Sequence, residues 1–142
     1  MMNQAMTQST KAAAIKREWH HVDLDGKVLG RIASDIAQKL MGKSKAHFVR
    51  HLDCGDYVVV TNAAKVVVTG KKTTDKVYYR HSMYPGGFRA ETFKEAMIKH
   101  PRAIIIHAVK GMLPQNKLRD RMLKRLFVFD GAEHTYTDKF KN

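Results

Sequence analysis

The sequence contains one cysteine, Cys54, and no long apolar run. A single thiol cannot form an internal disulfide, which indicates a reducing compartment rather than a disulfide-stapled secreted fold. No stretch approaches the roughly 20 apolar residues that a membrane-spanning helix needs. The segment MMNQAMTQSTKAAAIKR lacks the apolar core of a secretory signal, although a weak organellar transit peptide stays open. We predict a flexible tail over residues 1–14 and a single domain over residues 15–142.

Acidic residues are also scarce. Thirteen Asp and Glu stand against 26 Lys and Arg, which gives a formal charge of +13 and a pI near 10.0. Hydrophobic residues make up 44% of the chain, which is typical of a globular protein. Charge of one sign causes self-repulsion in the folded state unless a polyanion neutralises it. Nucleic acid is the first candidate partner, because binding to phosphates releases condensed counterions, and an anionic membrane surface is the second.

The hydrophobic pattern predicts strands that alternate with helices. Leu29, Ile32, Ile36 and Leu40 recur at three- and four-residue spacing on one helical face, and Gly42 is placed to end that helix. The continuous apolar run YVVVTN at 57–62 predicts a strand that is buried on both faces, as in a parallel sheet. We therefore predict an α/β fold, a three-layer α/β/α domain with a central, mainly parallel sheet of about four strands.

Local signals predict the remaining elements. Thr92 and Glu95 form a possible capping box, and Pro101 and Gly111 match the preference for proline at the start and glycine at the end of a helix. The predicted elements are strands at 18–23 and 127–129, two short strands within 65–79 around a turn at 69–75, a loop at 83–88, and helices at 91–100, 101–112 and 116–126.

Motifs for enzyme or metal chemistry fail on spacing. TGKKTT at 69–74 resembles the end of a phosphate-binding loop, but Lys65 stands where that loop requires a glycine. His47, His51 and Cys54 could ligate a metal, yet they lack the second pair of ligands that structural zinc sites have. The residues at 53–56 are interpreted as turn formers at the entrance of the next strand. We predict no catalytic residue, no metal and no cofactor.

Basic residues concentrate at 39–50, 71–80 and 110–125. A helical wheel of the predicted helix 116–126 gives an apolar stripe: Leu118, Met122, Leu123 and Leu126. A second stripe beside it is basic: Lys117, Arg121, Lys124 and Arg125. Arg119 does not fit, because the wheel places it inside the apolar stripe. Such a helix would pack one side on the domain and present the other side to an anion.

The basic stripe allows three interpretations. A solvated surface usually mixes charges of both signs, whereas this segment has a single acid, Asp120. A membrane-surface helix would have more large apolar residues. Polyphosphate binding is therefore favoured, since Arg and Lys together suit phosphate contacts. The chain has no helix-turn-helix, zinc-finger or basic-zipper pattern for DNA, and charge in several segments favours a folded RNA.

Particular residues carry a resemblance to a known family. VKGMLP at 109–114, GKVLGRIASDIAQKLMGK at 26–43, the segment 51–81, YPGGF at 84–88 and LFVFDGAEH at 126–134 resemble segments of the bacterial-type ribosomal protein L13 family. The match runs from about 18 to 134 in family order. In contrast, Cys54 stands where the family often has threonine, and PQNK at 114–117 lacks a glycine that many members carry.

The resemblance implies a structural, non-catalytic constituent of the large ribosomal subunit that supports early subunit assembly. It implies a three-layer α/β domain, binding to large-subunit (23S-type) ribosomal RNA, contact with neighbouring large-subunit proteins, and a cytoplasmic, ribosome-bound location; an organellar ribosome stays open. No membrane or DNA partner is expected. The predicted RNA-binding residues are Lys27, Arg31, Lys43, Lys45, Arg50, Lys71, Lys72, Lys76, Arg80, Lys110, Lys117, Arg121, Lys124 and Arg125.

Two other functions stay open at the level of the sequence. One is a small α/β enzyme that acts on a phosphorylated or nucleotide substrate, but it requires a nucleophile or base with a partner in one cleft. The other is a free-standing RNA-binding regulator with the same basic surface.

Overall fold

The computed structural model describes residues 10–140. Its strands are β1 (Trp19–Asp23), β2 (Tyr57–Thr61), β3 (Val77–His81), β4 (Phe88–Thr92) and β5 (Leu126–Val128). Its α-helices are α1 (Leu29–Met41), α2 (Lys72–Asp75), α3 (Phe93–Lys99), α4 (Pro101–Met112) and α5 (Leu118–Leu123). Short 3-10 helices lie at Ala12–Ala14, Ala63–Lys65 and Thr137–Lys139. Most of the predicted tail, residues 1–9, lies outside the described residues.

A parallel sheet in the order β1-β2-β5 forms the centre of the molecule. Trp19 pairs with Tyr57 at one end of β1, and Val58 pairs with Leu126 where β5 begins. The β-branched run of β2 is buried because it lies in the middle of this sheet. The predicted α/β class with a parallel sheet is confirmed, although this sheet has three strands instead of about four.

Helices α1 and α4 cover one face of the sheet. Ile36 and Leu40 of α1 and Ile105 of α4 are fully buried against Val58 and Val60 of β2. Each such side chain contributes roughly 1.5–3 kcal/mol through burial. The predicted face of α1 is therefore confirmed, and α4 spans the predicted 101–112.

Aromatic residues cover the other face. Trp19 stacks on Tyr57 with ring centroids 4.4 Å apart, and Tyr136 lies 4.5 Å from Phe127. Phe140 meets Trp19 edge-on at 6.4 Å. The covering layer on this side is thus the C-terminal segment with its 3-10 helix, whereas the sequence pattern predicted helices on both faces.

A two-stranded antiparallel hairpin, β3–β4, lies beside α3. The capping box that opens α3 is confirmed, because Thr92 Oγ1 accepts from the Glu95 N–H and the Glu95 carboxylate accepts from the Thr92 N–H. The predicted strand near 65–68 is wrong: Ala63–Lys65 is a 3-10 helix, and Val67 forms only an isolated bridge with Val28. Strand β4 was not predicted.

The last helix is shorter than predicted. α5 ends at Leu123, and Leu126 begins β5 instead of completing an apolar helical stripe. Met122 is buried in the core, as the wheel indicated. Arg119 is half-buried, and its Nε has no hydrogen-bond partner among residues 10–140. None of the described helices is both long and apolar enough to span a bilayer.

Candidate nucleic-acid interface

Arg125 and Asp53 tie the basic loop at 43–56 to the sheet. Both guanidinium nitrogens Nη1 and Nη2 of Arg125 donate to the Asp53 carboxylate, and Nη2 also donates to the Leu40 carbonyl at 3.2 Å. The loop passes so close that a Cβ on Gly55 would lie 1.6 Å from the Leu40 carbonyl oxygen. Arg125 is only 7% exposed. The prediction that it belongs to an exposed basic stripe is therefore wrong.

Asp56 is the second anchor of this loop. Burial alone would raise the pKa of its carboxyl group, but hydrogen bonds from Lys45, from the Glu18 N–H and from His20 hold that pKa below its ordinary value. Lys45 was predicted to bind RNA. Instead it is half-buried, and its ammonium group forms an ion pair with Asp56. Residues 53–56 shape the entrance of β2, as the sequence predicted.

The same carboxylate belongs to a group that could hold a cation. Ligand atoms of Glu18, His20 and Asp56 lie within 4.8 Å of one another. However, the Lys45 ammonium group lies against Asp56 and already supplies the positive charge that a metal would bring. The arrangement is explained as an internal ion-pair network.

The other twelve predicted cations are all exposed. They are Lys27, Arg31, Lys43, Arg50, Lys71, Lys72, Lys76, Arg80, Lys110, Lys117, Arg121 and Lys124. Within residues 10–140, none of them forms an ion pair, whereas Lys65, Lys99 and Arg102, which were not predicted to bind RNA, pair with carboxylates. The predicted residues are therefore free to meet an external anion.

Two of the basic segments meet at the start of α5. A cleft of about 260 Å³ is lined by Lys43 and Arg50 from the loop and by Pro114 and Asn116 from the turn before α5. A neighbouring cleft of about 420 Å³ brings the loop together with Arg121. The loop and α5 thus form one basic surface, which we call the loop–α5 surface: Lys43, Arg50, Lys117, Arg121 and Lys124.

Local chemistry explains how the chain turns between α4 and α5. Leu113, just after α4, is 2% exposed and is fixed in the core. Pro114 follows it, and the Asn116 side chain accepts from the Leu118 N–H at 3.0 Å, which closes an Asx turn just before α5. The break at 113–116 therefore docks α5 by Met122 and leaves Lys117, Arg121 and Lys124 on its outer side.

The second group of predicted cations lies around α2 and in the hairpin. Lys71, Lys72 and Lys76 lie on and beside the short helix α2, and Arg80 lies in β3. Lys27 and Arg31 lie at the start of α1, and Lys110 in the last turn of α4. The described structure does not place these three residues in any cleft of the loop–α5 surface.

Sequence reasoning missed Arg89, which pairs directly with Arg80 across the hairpin. It also missed the exposed aromatic pair Tyr79 and Phe88, which are 70% and 61% exposed with ring centroids 5.7 Å apart. These residues could have been found only by recognising the hairpin, since the pairing of 80 with 89 depends on β4. His107 of α4 is exposed and meets the Tyr78 ring edge-on at 5.4 Å.

Comparison with known proteins gives a consistent result. The family model described as ribosomal protein L13 matches residues 17–135. The chain is 50% identical over 133 residues to the "Large ribosomal subunit protein uL13" of Dehalococcoides mccartyi, covering 94% of this chain and 93% of that protein. It is 52% identical over 127 residues to the protein of the same name from Aliivibrio fischeri, with 89% of each chain covered. The chain belongs to the ribosomal protein L13 family.

Proposed function

We propose that this protein binds large-subunit ribosomal RNA through its exposed cations and supports early assembly of the large subunit. Family membership gives the coarser part of this function: the chain is a structural ribosomal protein and not an enzyme, and it is ribosome-bound in the cytoplasm. The relatives are named as proteins of the large ribosomal subunit. The residues that contact RNA and the neighbouring proteins belong to the proposal.

One observation carries the RNA-binding part. Twelve of the fourteen cations chosen from the sequence are exposed and unpaired within residues 10–140. The surface of an ordinary soluble protein intersperses charges of both signs. Here the unpaired cations lie on the loop–α5 surface, around α2 and the hairpin, and at the ends of α1 and α4, which suits contact with several sides of a folded RNA.

Sedimentation of tagged protein through a sucrose gradient tests the proposal. We expect the protein to migrate with large subunits and to be released by a high-salt wash, because phosphate contacts weaken as salt rises. Depletion of the protein should make incomplete large-subunit particles accumulate. A free, low-mass peak in growing cells, with normal large subunits after depletion, would contradict the proposal.

A further inference from the structure

The β3–β4 hairpin places two like charges directly opposite each other. Arg80 pairs with Arg89 in the register of the hairpin, and both residues are exposed. Like charges at such a position destabilise an antiparallel pair. Within residues 10–140, neither side chain forms a hydrogen bond or an ion pair that would offset this cost. The pair therefore has no counter-charge of its own among the described residues and is open to an anion from outside the chain.

A groove lies between this arginine pair and the helices. Its volume is about 450 Å³, and its walls include Tyr78, Arg80 and Arg89 from the hairpin and His100 and His107 from α3 and α4. Tyr78 meets His107 edge-on at 5.4 Å, which fixes the floor of the groove. The volume suits a nucleotide-sized group rather than a whole helix.

The acid in this groove is already neutralised. Glu91 accepts from Lys99 and His100, each at 3.0 Å. The hydrogen bond from Lys99 is the main reason that the pKa of the Glu91 carboxyl lies below its ordinary value. The positive charge of Arg80 and Arg89 is therefore left uncompensated.

The turn beyond the arginine pair is preformed. A second cavity of about 290 Å³ is lined by Arg80, Arg89 and the residues at 81, 82 and 87. A Cβ on Gly87 would lie 2.1 Å from Ser82 Oγ, and Met83 adopts a left-handed backbone with φ of 66°. The Met83 N–H donates to His81 Nδ1 at 2.8 Å, which leaves Nε2 as the protonated nitrogen of a neutral ring. The arginine pair thus lies between two cavities on a closed turn.

Aromatic rings lie next to the arginines. Tyr79 is 70% exposed, lines the groove and stacks with Phe88. Consecutive residues of a strand point to opposite faces, so Tyr79 and Arg80 reach both sides of the hairpin edge. Exposed tyrosine faces beside arginines are the chemistry that binds unpaired bases and their phosphates. A duplex would offer phosphates but no free base face.

We propose that this hairpin binds an unpaired RNA strand, with a backbone phosphate between Arg80 and Arg89 and a neighbouring base on the ring of Tyr79. The inference rests on the proposed RNA-binding function and adds the kind of RNA that this surface recognises. The strand crosses the hairpin edge, because the arginine pair and the tyrosine ring project from adjacent positions of β3.

Binding of the full chain to three RNA probes tests the inference. The probes are a uridine oligonucleotide of about ten nucleotides, which is within the usual site size for single strands, a duplex of equal length, and a large-subunit rRNA transcript. The variants are Arg80→Gln with Arg89→Gln, and Tyr79→Leu. The charge-matched control is Lys11→Gln with Lys139→Gln, two exposed lysines outside the hairpin. Thermal unfolding of each variant verifies that the fold is kept.

We expect the double arginine variant to lower the slope of log affinity against log salt for the oligonucleotide by about 0.7, because the two arginines hold one phosphate of a single strand. Tyr79→Leu should weaken oligonucleotide binding by roughly 5- to 150-fold, which is the effect of losing one base–aromatic stack. The lysine control should change the salt slope less than the double arginine variant does, and it should change the oligonucleotide affinity less than Tyr79→Leu does.

The outcomes separate this inference from the proposed function. If the wild-type protein binds the rRNA transcript but the hairpin variants match it on the oligonucleotide, only the hairpin inference is overturned. A preference for the duplex over the oligonucleotide would overturn it as well. If the wild-type protein fails to bind the transcript, the proposed function itself fails.

Discussion

Lys124 and Arg125 are adjacent in sequence and differ completely in environment. Lys124 is exposed and unpaired within residues 10–140, whereas Arg125 is 7% exposed and spans Asp53, the Asp56 carbonyl and the Leu40 carbonyl. A guanidinium group suits this position because its planar fork can donate to a carboxylate and to carbonyls at once. One cation therefore stabilises the fold and its neighbour is available to a ligand.

At the scale of single residues, the main effect of replacing Arg125 should be a lower free energy of unfolding. Arg125→Ala leaves the Asp53 carboxylate nearly buried with only Arg17 nearby, at 3.5 Å. Removing one partner of such a pair costs about 3 kcal/mol or more, so the free energy of unfolding should fall by that amount. Urea denaturation measures the change.

Lys124→Ala is the matched control for that experiment. Its free energy of unfolding should stay close to that of the wild type, while its rRNA affinity becomes less salt-dependent. The roles assigned to the two residues would be reversed if Lys124→Ala unfolded the protein and Arg125→Ala left its stability unchanged.

At the scale of elements, α5 presents its cations as a rigid group. It has six residues, and it is held by Met122, by the fixed turn at 113–116 and by β5, which begins three residues after its end. Isolated helices of this length do not persist in water, so tertiary packing must hold it. The positions of Lys117, Arg121 and Lys124 are therefore set before RNA binds.

Replacing these three residues together by glutamine should reduce rRNA affinity through lost phosphate contacts. We expect the log–log salt slope to fall by roughly 0.7 to 0.9 for each contact, or about 2 to 3 in all. Filter binding to the rRNA transcript over a range of salt concentrations measures the slope. The replacement of Lys65, which pairs with Asp25, by glutamine is a suitable comparison. An unchanged slope in the triple variant would show that α5 faces solvent in the complex.

The elements that the sequence predicted correctly are those specified locally. The spacing in α1, the Thr92–Glu95 box of α3 and the proline that opens α4 are each contained within one helix. Strand β4 was missed because its short alternation at 88–92 lies directly between the loop glycines and the capping residue of α3, and the segment becomes a strand by pairing with β3. The end of α5 was misplaced because a helical wheel cannot show where the chain leaves the helix.

In the candidate site, too, the features that could be predicted are those specified locally in the sequence. The cations of the loop–α5 surface were recognisable from charge density alone. Arg125 was misassigned because its ion pair joins residues 72 positions apart, and nothing in the local sequence indicates Asp53 as its partner. Arg89 was missed because its importance depends on the register that sets it opposite Arg80.

At the scale of the whole molecule, acids and cations are used differently. Five carboxylates take part in ion pairs within the described residues: Asp25, Asp53, Asp56, Glu91 and Asp130. Two of them, Asp53 and Asp56, anchor the basic loop from inside. Each internal pair cancels one charge of each sign, so the formal charge of +13 is left mostly to the surface.

This distribution predicts that salt stabilises the free protein. Raising the ionic strength from about 0.01 M to about 0.15 M shortens the screening length from roughly 30 Å to roughly 8 Å, which weakens repulsion between exposed cations. Salt screens the buried Arg125–Asp53 pair much less. The net effect is therefore an increase in Tm. We expect a rise of a few degrees, because about 1 kcal/mol shifts Tm by roughly 2–8 °C. Calorimetry over a range of sodium chloride concentrations measures the change in Tm.

A variant with Lys71, Lys72 and Lys76 replaced by glutamine has three fewer positive charges near one another, so its Tm should rise less with salt. A fall in Tm with salt would mean that surface attraction, not repulsion, dominates the charge balance of the folded chain.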